Sequence, residues 1–173
     1  MNSFKFKPSL YLLAFLLVSA DFLVLYLSLE AAQLTQSLNV DIASYSWIPI
    51  FILSSFATQK IYVIRYDFWG DAKKILKVFF FSFFVVFTVI SLAKISDVYS
   101  VPFLLNFFVI AMFATLFFKR LLKKLLFSFD FFKIKVMVMA DEESYKTICG
   151  EIKKNWYFGY EVNDENYDIV IIS

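Results

Sequence analysis

Four apolar runs, separated by short polar stretches, fill the first two thirds of the chain. Leu10–Leu29 has about the 20 residues that a spanning helix needs. A second, weaker run covers Ala43–Ala57 and extends to Ile64 if Lys60 snorkels to an interface. Pro49 falls near its start, where proline is best tolerated, and Tyr45 and Trp47 suit an aromatic belt. Val78–Ala93 and Val101–Phe118 carry no charge at all. The pattern then changes. Arg120–Phe132 mixes Leu, Lys and Phe, as expected for a helix end leading into a membrane-surface segment. Lys133–Ala140 reads as a buried strand and Asp141–Trp156 as a helix with Tyr145, Ile148, Ile152 and Trp156 on one face. Gly159 is a plausible stop, and Tyr167–Ile172 reads as a second strand.

These elements predict two parts. Residues 1–126 form an α-helical integral membrane domain of four transmembrane helices. Residues 133–173 form an incomplete α/β unit, a parallel βαβ of Rossmann-like type. Two parallel strands and one helix cannot cover both faces of a sheet. The sheet is therefore expected to finish with another chain, or the reading frame to be truncated. Alone, roughly the last forty residues are expected to be poorly ordered.

Composition agrees with the pattern. Of 173 residues, 61% are hydrophobic and 18% charged, and 24 are Phe. A soluble domain is about half apolar and a quarter charged, and its core could not hide so much Phe. A signal peptide competes for Leu10–Leu29, since Lys5 and Lys7 precede it. The run is long for that role and no small-residue cleavage site follows, which favours an uncleaved anchor. Net charge is +2, and its distribution matters more than its sum. The loop Gln33–Ser44 has Asp41 and no Lys or Arg. The next carries Lys60, Arg65, Lys73, Lys74 and Lys77. The third sets Lys94 against Asp97, and the fourth run exits into Lys119, Arg120, Lys123 and Lys124. The positive-inside rule then places both termini in the cytoplasm. No basic tail suggests nucleic acid. Cys149 is the single cysteine and there is no histidine, which excludes an internal disulfide and argues against a zinc or haem site.

Few residues invite chemistry. Asp21 lies in the first run, where a carboxylate is either functional or hydrogen-bonded to hold helices together through Ser19, Ser28 or a neighbouring span. In the segment Tyr62–Val78, Asp67 can cap a helix beginning near Phe68, and Asp71 sits in its first turn. Phe68 and Trp69 are placed to anchor at headgroup depth. Ile75, Leu76 and Phe79 would be buried. Arg65, Lys73, Lys74 and Lys77 are then candidates for contact with anionic lipid or lipid phosphate; an ordinary interfacial helix explains the same pattern. After the first strand, Met139-Ala140-Asp141-Glu142-Glu143-Ser144 has no glycine and three carboxylates, which argues against nucleotide phosphate there. Asp141 and Glu142 read as partners of the helix dipole, not a catalytic pair. No nucleophile with a base, metal cluster or phosphate loop is legible.

The order of these parts resembles the N-terminal half of large bacterial polyprenyl-phosphate hexose-1-phosphate transferases. Four features carry the likeness: Asp21; Tyr62 and Tyr66-Asp67-Phe68-Trp69-Gly70-Asp71 running into Lys73-Lys74-Ile75-Leu76-Lys77; the exit Lys119-Arg120-Leu121-Leu122-Lys123-Lys124; and Gly159-Tyr160-Glu161-Val162 ahead of the last strand. The resemblance implies a module of an enzyme that moves hexose-1-phosphate from a UDP-sugar to undecaprenyl phosphate in surface polysaccharide synthesis. It implies a multi-pass protein of the bacterial inner membrane. Its partners would be the bilayer, undecaprenyl phosphate, and either further copies of itself or glycan-pathway membrane proteins. The family's chemistry lies in a later domain with an Asp-Glu pair and Mg²⁺, so no catalytic or cofactor residue carries over and the chain is expected to be inactive by itself. The front end is also similar to membrane-bound UDP-sugar 4,6-dehydratases. A non-catalytic scaffold for glycan-assembly enzymes is the third reading.

Overall fold

The structure is a computed structural model that describes residues 8–36, 41–93, 99–163 and 167–172. The flanking charges Lys5, Lys7, Lys94 and Asp97 lie outside the described residues. Four helices form a bundle: α1 (Pro8–Gln36), α2 (Trp47–Thr58), α3 (Phe68–Leu92) and α4 (Val101–Leu126). An α/β unit follows with β1 (Ile134–Met139), α5 (Glu142–Lys154), β2 (Tyr160–Val162) and β3 (Ile169–Ile172).

Local chemistry sets the helix starts. Asp67 caps α3 by accepting from the Gly70 amide at 3.1 Å. Ser100 caps α4, with Pro102 in the first turn, where a missing amide costs least. The end of α2 corrects the longer run. The helix stops at Thr58 and does not reach Ile64. Lys60 takes a left-handed backbone, φ 54°, and the amides of Lys60 and Ile61 bond back to Ala57 and Phe56. That is a Schellman stop, here with lysine where glycine is usual.

Helices α1 and α4 run antiparallel. Asp21 meets Lys119, and Thr35 meets Asn106 nearer the other end. Leu25, Leu29, Ile48, Ile52, Phe56, Val86, Phe103 and Phe107 fill the space between the four helices. The outward faces are equally apolar: Phe84, Phe113 and Phe117 are 65%, 63% and 61% exposed. Helices apolar both inside and outside require a lipid environment. Among the described residues, three helices, Pro8–Thr35, Phe68–Leu92 and Val101–Leu126, are long and apolar enough to cross a membrane. The expected fourth, Ile42–Thr58, is shorter. Tyr45 also departs from expectation. It is 1% exposed, packed edge-on against Tyr99 and Phe103 instead of facing headgroups. Its hydroxyl accepts from the Ser100 amide at 2.9 Å, and Trp47 Nε1 donates to Tyr99 at 3.1 Å.

Among the described residues the α/β unit has three strands where two were expected. The order is β2-β1-β3, all parallel. The added strand is Tyr160–Val162, part of the stretch quoted for the family likeness. Parallel neighbours normally need a long crossover. Here β2 pairs with Ile134–Val136 and β3 with Val136–Met139. Thus β3 begins opposite Val136, the residue at which β2 ends, and no return along β1 is needed. The expected helix is found as α5, capped by Asp141 on the Ser144 amide, with Glu142 and Glu143 in the first turn.

Candidate functional site

The polar chemistry gathers where the apolar layer of the bundle ends. Uncharged Val101–Phe118 spans about 27 Å of α4, close to the thickness of a bilayer core. Beyond it Lys119 and Lys123, one turn apart, turn inward and are 2% and 3% exposed. Each finds a carboxylate. Lys119 Nζ donates to Asp21 Oδ2 at 2.7 Å, and the Tyr62 hydroxyl donates to the same oxygen at 2.8 Å. Lys123 Nζ pairs with Asp71 Oδ2, which also accepts from the Tyr157 hydroxyl at 2.8 Å. The ammonium groups lie over rings as well: Lys119 is 4.8 Å from the Tyr62 centroid, and Lys123 is 4.2 Å from that of Tyr157. Ions out of water survive when paired, hydrogen-bonded and faced by aromatic rings.

These pairs place Asp21 more exactly than the sequence does. It is central in α1 but level with Lys119, so it stands at the edge of the apolar layer. The part of α1 before it runs on past that edge, where Leu13 and Leu17 pack with Leu126 and Phe127. Ser28 is not its partner; that hydroxyl donates to Val24 O at 2.7 Å. The carboxylate links α1 to α4 through Lys119 and to the following connector through Tyr62.

Arg65 joins the bundle to the α/β unit. One terminal nitrogen donates to Phe158 O at 2.9 Å and Gly159 O at 2.7 Å, and the other to Phe132 O at 2.7 Å. Its guanidinium stacks 4.9 Å from the Phe127 ring. Burial pushes its pKa down to about 10. Gly159 has φ +62°, and a Cβ there would sit 2.6 Å from Arg65 Nη1 and 2.8 Å from the Phe127 ring. Both the left-handed backbone and the close approach demand glycine. Tyr157 is held well above the usual phenol range, first by burial and then by the Asp71 carboxylate. It therefore stays a donor to that carboxylate.

The remaining candidates sort by face. Phe68 packs edge-on against Tyr157 under the Arg120 guanidinium. Trp69 is 69% exposed, and Lys73 and Lys77 follow it at helical spacing on the same exposed stripe. Lys74 lies 4.3 Å from the Tyr66 ring. Ile75 and Phe79 are buried as expected, while Leu76 is half-buried. Sequence reading missed the inward roles of Lys119, Lys123 and Tyr157. The available signal was the four-residue spacing of the two lysines, which puts both on one face of α4, together with the anomalous Asp21.

The residues do not fit the Mg²⁺ of the resembled family. Asp21 and Asp71 are each taken up by a lysine, and among the described residues no three His, Cys, Asp or Glu side chains converge. No protein-family model matches the chain. No curated protein matches it in sequence.

Proposed function

We propose that the chain is the membrane module of a sugar-phosphate transferase that moves hexose-1-phosphate from a UDP-sugar to undecaprenyl phosphate. One observation carries the reading. The segment Tyr62–Asp71, central to the family likeness, is also the junction through which Tyr62, Arg65 and Asp71 reach α1, α4 and the α/β unit. A module of this kind holds an α/β unit at fixed height over a basic membrane face, where a lipid phosphate is within reach of a soluble sugar nucleotide. Trp69, Lys73 and Lys77 give that face an aromatic anchor and cations with no acidic partner among the described residues. We take the inner bacterial membrane as its place, with the lysine-rich level cytoplasmic.

We also take α2 as a fourth crossing. At one end Tyr45 packs on Phe103, and at the other Phe56 lies 5.2 Å from the Lys119 ammonium. The short helix and its preceding turn thus accompany nearly the whole apolar length of α4. Local thinning of the bilayer would accommodate the difference in length.

Membranes from cells with and without the chain, given a radiolabelled UDP-sugar, test the function. The expected result is organic-extractable sugar-1-phosphate lipid that falls when the chain is absent. Unchanged lipid label would reject the transferase reading. Loss of a soluble 4-keto UDP-sugar instead would favour the dehydratase alternative.

A further inference from the structure

A cavity of about 350 Å³ opens where the end of α4 meets α5 and β2. Lys124, Lys133 and Lys153 line it together with the rings of Phe127, Trp156 and Tyr160. Lys133 is engaged by Asp130 at 2.6 Å, with Glu161 at 4.0 Å. Among the described residues Lys124 and Lys153 have no acidic partner. Two cations on the rim of one cavity suit an anion with several acceptor oxygens, which can take a hydrogen bond from each. A phosphate ester supplies up to two charges and three such oxygens. The rings give its organic part a surface to pack on.

The cavity also has a telling height. Lys124 stands six residues past the end of the uncharged stretch of α4, about 9 Å along the axis, which is headgroup depth. Phe129 and Phe131, on the turn beside it, are 56% and 60% exposed. A second cleft, of about 370 Å³, lies on α4 and α1, lined by apolar side chains that include Leu121, Leu122 and Leu125.

We propose that the lysine-lined cavity is a phosphate-ester site, with Lys124 and Lys153 binding the phosphate and Trp156 packing on the rest of the ligand. Only the source of the ester, lipid or soluble, depends on the membrane reading above. The test uses the full chain in neutral-lipid nanodiscs with Trp47→Phe and Trp69→Phe, leaving Trp156 as the reporting indole. Dioctanoyl phosphatidic acid, adenosine monophosphate and octanoate are titrated separately. A saturable change in Trp156 emission is expected with at least one phosphate ester. Lys124→Gln with Lys153→Gln, both exposed side chains, should weaken it about tenfold or more, while Lys146→Gln, an exposed lysine of α5 held by Glu142, should leave it unchanged. Saturation by phosphatidic acid alone assigns a lipid source, and by the nucleotide alone a soluble one. Saturation by neither, equal binding of octanoate, or indifference to the Lys124 and Lys153 changes would each overturn the proposal.

Discussion

At the scale of single residues, the two buried ion pairs decide most. A lysine or aspartate left without its partner at the edge of the apolar layer keeps the desolvation cost and loses the attraction. Asp21→Leu or Lys119→Met alone should therefore destabilise the bundle by about 3–5 kcal/mol, while the double change should come close to neutral. Thermal unfolding of the four proteins of that cycle in one detergent measures it. Additive losses would mean that Asp21 and Lys119 are not coupled. Asp21 was legible in the sequence as an anomaly, because a lone carboxylate in an apolar run has to be explained. Its partner was not legible. Lys119 reads equally well as one more cation of a basic helix exit, and only its inward rotation on α4 separates it from Arg120, which points to the surface and covers Phe68.

At the scale of elements, hydropathy located the helices because apolar length is a local property of the chain. It placed the end of α2 at Ala57, next to the observed Thr58, but left open the extension to Ile64, which the left-handed turn at Lys60 forbids. It also missed β2, three residues whose pairing is supplied entirely by β1. A fourth crossing by α2 has a direct consequence. In a Cys149→Ser background, single cysteines replacing Ser46 and Gln59 should react with an impermeant maleimide from opposite sides of sealed vesicles, Gln59 from the side of Lys119. Labelling of both from one side would make α2 a re-entrant segment and leave three crossings.

At the scale of the whole molecule, the sheet was expected to finish with another chain or a longer reading frame; what the structure adds is that the bundle's connector docks on the α/β unit. Arg65 bonds to carbonyls just before β1 and just before β2, Asp71 receives Tyr157, and Gly159 admits the guanidinium. Amides of Val136 and Val138, buried in β1, should therefore exchange slowly in the intact chain. Arg65→Met or Gly159→Ala should speed their exchange while leaving the α3 and α4 amides protected. Equal protection in wild type and variants would show that the sheet stands without the connector.

The sequence by itself determined that the chain belongs in lipid, where its helices lie, and which side of the apolar layer is basic. All three follow from the composition of short continuous stretches. The tertiary structure alone decided what the charged residues do. Whether a lysine meets solvent or a buried aspartate depends on helix rotation and on contacts 52 and 98 residues apart. The segment Tyr62–Asp71 became a junction in the same way, since its partners lie in α1, in α4 and beyond Phe132.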